Sequence, residues 1–357
     1  MTRQAPPDNV CVVRVSAIGD TCHALAVVRA IQDTWPETRI TWIIGRTEAG
    51  LMADIPGVEF ITFDKSKKNA ARRDVRDQLG GRHFDYALCM HASMRVNPLY
   101  RHINAPVRLG FDLRRARDFQ WLFTNRRIEA AERQHVLDGM MSFARYIGVP
   151  ERPLRWDIPL KDTHREFAAR HVDRKRPTLV ISPCSSERAR NFRNWSAENY
   201  AAAAKHAQQK FGCRVLVTGG GSELEREYGK TICNIVGDDA VDLVGQTSLK
   251  QLLAVIEAGD VLLCPDSGPA HMATAVGTPV VGLYATSNPE RTGPYLSREL
   301  TVNAYPDAVA RYLGKSVDAL RFGRRVRDPG AMGLIRLREV NGKLDRAFSK
   351  ISTNSEF

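Results

Sequence analysis

The chain has 357 residues, of which 43% are apolar and 26% charged, a composition typical of globular proteins and not of disordered ones. Its length predicts two domains of roughly 150 to 180 residues rather than one core. No apolar run reaches the roughly 18 residues that would span a bilayer. The N-terminal segment lacks the apolar core and cleavage site of a signal peptide, so we expect a cytoplasmic protein.

The seven cysteines are scattered and form no Cys-x-x-Cys pair, which indicates reduced core residues. Neither His-x-x-x-His nor Asp-x-Asp occurs in the chain. We therefore expect no tightly held metal and no cofactor.

In chain order, short β-branched runs alternate with amphipathic helical stretches, which predicts α/β domains with parallel sheets covered by helices. The chain opens with a strand at 10–15, a turn at 16–20 and a helix that ends at Pro36. The remaining elements of the first half are predicted as strands at 40–44, 58–63, 86–90 and 107–111 and helices near 70–79 and 135–147. We assign residues 1–165 to this first domain.

A second series begins at Thr178, after a charged stretch that contains prolines. Its predicted strands are 178–181, 214–218, 241–244, 261–264 and 279–284, and its predicted helices lie near 197–211, 224–236, 249–258 and 269–276. These elements predict a second α/β domain at 176–330. Residues 331–357 contain a last amphipathic helix, which we expect to pack back on the first domain.

The strongest local signal follows the strand at 261–264 and comprises Asp266-Ser267-Gly268-Pro269-Ala270-His271. Ligands of open α/β sheets bind at the carboxyl ends of strands, where the next helix points free N–H groups at an anion. Gly268 would let the backbone approach phosphates, and Ser267 would add a hydroxyl donor. We interpret the segment as a diphosphate site. The alternative is that Asp266 or Ser267 only caps the helix and that His271 is an ordinary helical residue.

The first turn, residues 16–21, lacks the three glycines of a dinucleotide fingerprint, so a nicotinamide or flavin site is poorly supported. Asp20 stands where the first strand passes into the first helix. A carboxylate there could take the proton from an attacking hydroxyl. The alternative is that Asp20 is only a helix N-cap.

Two further loops follow strands of the second domain. One carries Arg188, Arg190 and Arg193, which could neutralise a leaving diphosphate without a metal, although a solvated basic loop is the alternative. The other is Gly219-Gly220-Gly221, which is compatible with nucleotide binding but has no Lys-Ser/Thr and is not a P-loop.

The net charge of +12 is unevenly distributed, since the stretch 65–127 contains fifteen Lys/Arg and only five Asp/Glu. Such a stretch is either a solvated basic surface or a face that meets a polyanion, such as nucleic acid, a phospholipid surface or an anionic glycolipid. Charge alone does not choose among these.

Taken together, these elements resemble glycosyltransferase family 9, the lipopolysaccharide heptosyltransferases, over nearly the whole chain. The matching segments are Val13 to Asp20 with His23-Ala24-Leu25 and Val28-Arg29-Ala30, Arg193-Asn194-Trp195 with Glu198, Gly219-Gly220, and Asp266 to His271 with Gly277-Thr278-Pro279. The resemblance implies a GT-B fold, two Rossmann-like domains facing each other across a cleft. It also implies metal-independent, inverting transfer of a heptose from the nucleotide sugar ADP-heptose to the inner core of lipopolysaccharide.

The resemblance also assigns roles to individual residues. Asp20 is similar to the family's catalytic base, and Arg193 lies where many members carry a Lys against the diphosphate, so a difference in donor geometry or in donor identity is expected. The expected donor contacts are Asp266, Ser267, Gly268, His271, Arg193, Gly219, Ser185 and Ser186. The candidates for the anionic glycolipid acceptor and for peripheral contact with the inner membrane are Lys65, Lys67, Lys68, Arg72, Arg73, Arg114, Arg115 and Arg117.

Three alternatives remain open at the level of sequence. The first is a family 9 transferase with another sugar donor or acceptor. The second is a sugar-nucleotide epimerase of the same two-domain shape. The third is a nucleic-acid-binding protein, which is disfavoured because the basic residues are not interleaved with stacking aromatics in a recognisable module.

Overall fold

The computed structural model describes residues 5–185 and 191–354. It divides the chain into two compact units with the boundary between Pro159 and Leu160. Each unit contains a six-stranded parallel sheet, as the alternation of strands and helices predicts. Within the described residues, no helix combines the length and the apolar character needed to cross a membrane.

The first unit has the strand order β3-β2-β1-β4-β5-β6, which is the order of a Rossmann fold. Its strands are β1 (Asn9–Val13), β2 (Arg39–Gly45), β3 (Val58–Phe63), β4 (Tyr86–Leu88), β5 (Val107–Gly110) and β6 (Arg126–Arg127). Its helices are α1 (Ile18–Thr34), α2 (Arg46–Met52), α3 (Ala70–Leu79) and α4 (Val136–Tyr146). The short elements α2 and β6 were not predicted from the sequence.

The second unit repeats the same order, since its sheet runs β9-β8-β7-β10-β11-β12. Its strands are β7 (Thr178–Ile181), β8 (Arg214–Val217), β9 (Ala240–Asp242), β10 (Val261–Pro265), β11 (Val280–Tyr284) and β12 (Val302–Asn303). Its helices are α5 (Asp162–Ala169), α6 (Ala197–Phe211), α7 (Glu223–Val236), α8 (Leu249–Ala258), α9 (Gly268–Val276), α10 (Pro289–Thr292), α11 (Tyr305–Leu313) and α12 (Leu337–Asn354). The central strands β7, β10 and β11 are buried along their whole length, as expected of parallel strands covered on both faces.

The expected domain limits need two corrections. The first domain ends at Pro159 rather than at 165, because α5 packs on α8 of the second unit. The last helix, expected on the first domain, instead packs on α6 and β11. Its buried residues Val340, Leu344, Ala347 and Phe348 belong to the core of the second unit.

Phe348 is 2% exposed, and its ring stacks on that of Phe211 with 5.0 Å between centroids. We expect Phe348→Ala to lower the free energy of unfolding of the second unit by about 3–5 kcal/mol, because a large buried ring leaves a cavity. Chemical denaturation would measure this. The control is Lys350→Ala on the same helix, which removes an exposed ion pair with Glu299 and is expected to cost no more than about 1 kcal/mol. Equal effects of the two substitutions would contradict the packing of α12 described above.

Candidate active site

The sheet of the second unit has its topological switch point where β7 and β10 lie side by side. After β7 the chain continues to β8 and β9 on one side, and after β10 it continues to β11 and β12 on the other side. At such a topological switch point the loops after the two strands separate and leave a crevice at their carboxyl ends. Ser185 follows β7 and Asp266 follows β10, so both predicted residues lie at this crevice.

Asp266 is buried at this crevice and is held by hydroxyl and guanidinium groups. Its Oδ2 accepts a 2.7 Å hydrogen bond from Ser287 Oγ, and it lies 3.3 Å from Arg193 Nη1 and 3.8 Å from Arg325 Nη2. Arg193 Nη1 also donates to the Asp266 carbonyl oxygen at 2.7 Å. Asp266 therefore positions two positive charges beside the start of α9.

A second set of hydrogen bonds fixes Arg193 from the side of β7. Arg193 Nε donates to Asn191 Oδ1 at 2.6 Å, and Asn191 Nδ2 donates to Ser185 Oγ at 2.7 Å. The Asn194 side-chain oxygen accepts from both the N–H and the hydroxyl of Ser185, at 2.9 and 3.0 Å. A continuous polar network thus connects the carboxyl ends of β7, β10 and β11. The predicted residues Ser186, Arg188 and Arg190 lie outside the described residues.

The start of α9 is not capped by the side chain that precedes it. Ser267 has extended backbone, and its hydroxyl donates to the Pro265 carbonyl oxygen at 3.1 Å instead of accepting from the helix. Pro269 lies in the first turn of the helix, where a missing N–H costs little. The simple capping alternative for Ser267 is therefore wrong, and the N-terminal N–H groups of α9 point toward the crevice beside Gly268. His271 is buried one turn further along.

Gly219 follows β8, one strand away from the switch point. The N–H of Gly220 donates to Glu225 Oε1 at 2.8 Å, and Ser222 donates to Glu225 Oε2 through both its N–H and its hydroxyl. Burial raises the pKa of Glu225, but these hydrogen bonds outweigh it and leave the pKa below its ordinary value. A Cβ on Gly219 would approach Glu225 to 3.3 Å. The close packing against Glu225 thus accounts for glycine in this loop. Contact between Gly219 and the nucleotide-sugar donor stays a prediction.

The first unit has an equivalent switch point between β1 and β4, and Asp20 lies there. Asp20 is in the first turn of α1 and is not its N-cap, which is Ala17. Its carboxylate accepts from the Ala17 N–H at 3.3 Å and forms an ion pair with Arg14. The Asp20 side chain is 33% exposed, so it remains accessible to a ligand. The other side of Arg14 is fixed by a 2.6 Å hydrogen bond to the Met90 carbonyl oxygen.

His91 follows β4 and lies next to this pair. Burial, followed by the charge of Arg14, lowers the pKa of His91 from 6.5 to about 3. The folded protein therefore keeps His91 neutral down to about pH 3, whereas the unfolded chain binds a proton below about 6.5. Stability contributed by the neutral ring is complete above about 6.5 and is lost as the pH falls toward about 3.

We expect His91→Gln to flatten this pH dependence. Between pH 7 and pH 5, protonation of His91 in the unfolded chain should lower the free energy of unfolding of the wild-type protein by about 2 kcal/mol. The variant has no ring to protonate, so its free energy of unfolding should fall by about 2 kcal/mol less over the same range. Denaturation at pH 7 and pH 5 measures the difference, and His102→Gln, at an exposed position, is the control. An unchanged pH dependence in His91→Gln would contradict a His91 ring that the fold keeps neutral.

The basic candidates form two groups, both at the carboxyl ends of strands of the first sheet. Lys65, Lys67, Lys68 and Arg72 follow β3, and Arg114 and Arg117 follow β5. Since β1 lies two strands from each, the groups begin about 10 Å to either side of the strand that leads to Asp20. Several of these charges are already paired, Lys65 with Glu48, Lys67 with Asp74 and Arg114 with Glu132.

Sequence reasoning missed Arg14, His91, Ser287 and Arg325. Ser287 had a usable signal, because it follows the carboxyl end of β11, next to β10 in the sheet. Arg325 had none, since it comes from an irregular segment that only the folded chain brings to Asp266. Arg14 could have been noticed as a charged residue at the end of an otherwise apolar strand.

Two parallel six-stranded Rossmann-like units in one chain are the architecture of GT-B glycosyltransferases. The solved structures agree. A family 9 glycosyltransferase of Veillonella parvula matches with a TM-score of 0.77 and 18% identity over 96% of this chain and 97% of its own. An Escherichia coli heptosyltransferase solved with ADP matches with a TM-score of 0.73 and 17% identity over 95% and 99% of the two chains. The protein therefore has the GT-B fold.

The family model "Glycosyltransferase family 9 (heptosyltransferase)" matches residues 72–311. A lipopolysaccharide core heptosyltransferase of Haemophilus influenzae is 38% identical over 340 residues, which are 95% of this chain and 97% of that protein. The chain belongs to glycosyltransferase family 9. It is a transferase, so the epimerase alternative is set aside.

Proposed function

We propose that the protein transfers a heptose from ADP-heptose to the inner core of lipopolysaccharide, with inversion at the anomeric carbon. The observation that carries this proposal is the polar network around Asp266 at the switch point of the second unit. There Arg193 and Arg325 lie beside the uncapped start of α9, a combination suited to a diphosphate. The heptose and the acceptor are supported by the name of the Haemophilus influenzae relative and by family membership.

In the proposed reaction, Asp20 accepts the proton of an acceptor hydroxyl while that oxygen forms a bond to the anomeric carbon. The bond from the anomeric carbon to the diphosphate oxygen breaks on the opposite face, and its electron pair leaves with ADP. Arg14 keeps the Asp20 carboxylate in place through its ion pair. Asp20 is regenerated when it releases the proton to water.

The leaving diphosphate gains negative charge as this bond breaks. Arg193, Arg325 and the first N–H groups of α9 supply the positive potential that stabilises it, aided by contacts from Ser267, Gly268, Ser185 and His271. We propose that these groups suffice without a metal. Dialysis against a chelator followed by assay in its presence tests this part, and a loss of turnover that added divalent cation restores would overturn it.

The acceptor is proposed to be a 3-deoxy-octulosonic acid or heptose residue on lipid A, an anionic glycolipid. The two basic groups on either side of β1 would face its phosphates and carboxylates. We further propose a cytoplasmic location with peripheral contact at the inner leaflet of the inner membrane. A family 9 transferase with another donor or acceptor is the second candidate; another donor is favoured by Arg193, which stands where many family members carry a Lys.

A donor and acceptor panel tests the proposed function. Purified protein is offered ADP- and UDP-sugars with and without lipid A that carries 3-deoxy-octulosonic acid, and nucleotide release and product mass are followed. We expect acceptor-dependent release of ADP and a product heavier by one heptose. Nucleotide release from a donor with a different sugar would support the second candidate. If no donor in the panel released nucleotide, both candidate functions would be overturned.

A further inference from the structure

An exposed apolar surface in the first unit is not used by the proposed reaction. In residues 5–185 and 191–354, large hydrophobic side chains are exposed at few positions, and most of these fall between 94 and 122. They are Leu113 at 63%, Phe119 at 62%, Leu122 at 53%, Met94 at 49% and Trp121 at 44%. Four of them lie in residues 111–122, here called the aromatic loop, which connects β5 to β6.

The aromatic loop is a built structure closed by a buried glutamine. Gln120 is 0% exposed; its Oε1 accepts from the Phe111 N–H at 3.1 Å, and its Nε2 donates to the Cys89 carbonyl oxygen at 2.7 Å. With Gln120 held inside, its neighbours Phe119 and Trp121 are directed outward. The loop therefore presents apolar side chains on a fixed base.

The segment that carries Met94 is fastened to the same loop. The Met94 N–H donates to Asp118 Oδ2 at 3.1 Å, and the buried Asn97 side chain donates to the Asp118 carbonyl oxygen at 2.7 Å. Asp118 and Phe119 both have positive φ, 51° and 58°. That conformation is unfavourable for phenylalanine, and an exposed ring returns no packing energy. Phe119 therefore contributes something other than stability of the fold.

The apolar side chains are accompanied by exposed arginines. Arg114 and Arg117 lie in the aromatic loop, Arg95 follows Met94, and Arg126 and Arg127 of β6 follow the loop. These five arginines are among the fifteen Lys/Arg of the stretch 65–127, which contains only five Asp/Glu. Tryptophan, phenylalanine and leucine flanked by arginine are the residues that hold proteins at a membrane–water interface. Arginines bind anionic headgroups while the apolar side chains enter the acyl boundary.

We propose that the aromatic loop docks the protein on the surface of an anionic phospholipid bilayer. Phe119, Trp121 and Leu122 enter the interface, and the exposed Arg95, Arg126 and Arg127, which are not among the acceptor candidates, contact lipid phosphates. The arginines around the apolar side chains favour a lipid surface over a protein partner. An anionic bilayer presents dense negative charge, so it can contact all of these arginines at once. The proposal rests on the proposed function only in that a lipid-linked acceptor would be met at that surface.

Vesicle binding tests the proposal without any turnover. Co-sedimentation is measured with vesicles of phosphatidylcholine alone and of phosphatidylcholine mixed with phosphatidylglycerol. We expect the wild-type protein to bind the mixed vesicles at least about tenfold more tightly, and added salt to weaken that binding. The double variant Trp121→Ser/Leu122→Ser should lose about tenfold of this affinity.

The matched control is Leu296→Ser, since Leu296 is 54% exposed and lies in the second unit, whereas Leu122 is 53% exposed. Leu122→Ser should weaken vesicle binding and Leu296→Ser should not. Wild-type binding by the double variant, equal losses in the two single variants, or equal binding to both vesicle types would overturn the proposal. So would a change of oligomeric state in the double variant without vesicles, which would identify the aromatic loop as a protein interface.

ADP affinity is measured on the same proteins as a separate readout. We expect it to be equal in all of them, because the donor site is proposed in the second unit. Absence of ADP binding by the wild-type protein would count against the proposed function and leave the vesicle result standing. Loss of vesicle specificity with intact ADP binding would count against the aromatic loop alone.

Discussion

Asp20→Asn is expected to lower kcat by about a hundredfold to ten-thousandfold, the usual contribution of a general base. Asparagine has the same size and its side-chain oxygen can still accept from the Ala17 N–H, so α1 should start as in the wild type. It cannot accept the proton of the attacking hydroxyl. ADP affinity and thermal stability should therefore change little while turnover falls.

Asp33→Asn is a matched control for this experiment. Asp33 lies on the same helix, is 32% exposed and is also paired with arginine, in this case Arg155. It is far along α1 from the switch point, so its substitution should leave kcat within about twofold. Initial rates at saturating donor and acceptor measure both variants. Near wild-type turnover in a folded Asp20→Asn protein would remove Asp20 from the proposed mechanism.

Arg193→Met is expected to reduce kcat/KM for the donor by about a hundredfold to a thousandfold, in the range lost when a charge-stabilising donor is removed from an active site. The substitution also leaves the buried Asp266 carboxylate with less compensation, so some loss of stability should accompany it. Donor-dependence curves and thermal unfolding separate the two effects.

Arg193→Lys tests whether charge or geometry is needed. The guanidinium donates from Nη1 to Asp266 and from Nε to Asn191, and a single ammonium cannot reproduce both directions. The Lys variant should therefore recover part of the activity lost in Arg193→Met. Arg338→Met, at an exposed position of α12, should be neutral. Full activity of Arg193→Met would show that the diphosphate is stabilised elsewhere.

Much of the fold could be predicted because local pattern and tertiary environment agree. The helices at 70–79, 197–211 and 249–258 were predicted with the limits that the structure gives. Helix α11 was missed, since Pro306 suggests a break in the pattern. In the structure that proline lies in the first turn, where it is tolerated.

The candidate site was only partly predictable for a similar reason. Asp266 and Asp20 follow apolar strands, so their position at a carboxyl edge can be derived from topology alone. The partners of a side chain cannot be derived from topology. Asp266 pairs with Ser287 and Arg325, and this pairing depends on how the loops after different strands return to the sheet. The packing of α12 was mispredicted because an amphipathic helix specifies an apolar face but not the surface that covers it.

The corrected position of α12 has a genetic consequence. Because this helix belongs to the core of the second unit, the chain passes from one unit to the other once, near Pro159 and Leu160. Each half is thus an uninterrupted block of sequence. A single recombination event at that point could exchange the whole half with Asp20 or the whole half with Arg193 between relatives. With the acceptor site proposed in the first unit and the donor site proposed in the second, acceptor preference and donor preference would then be inherited separately.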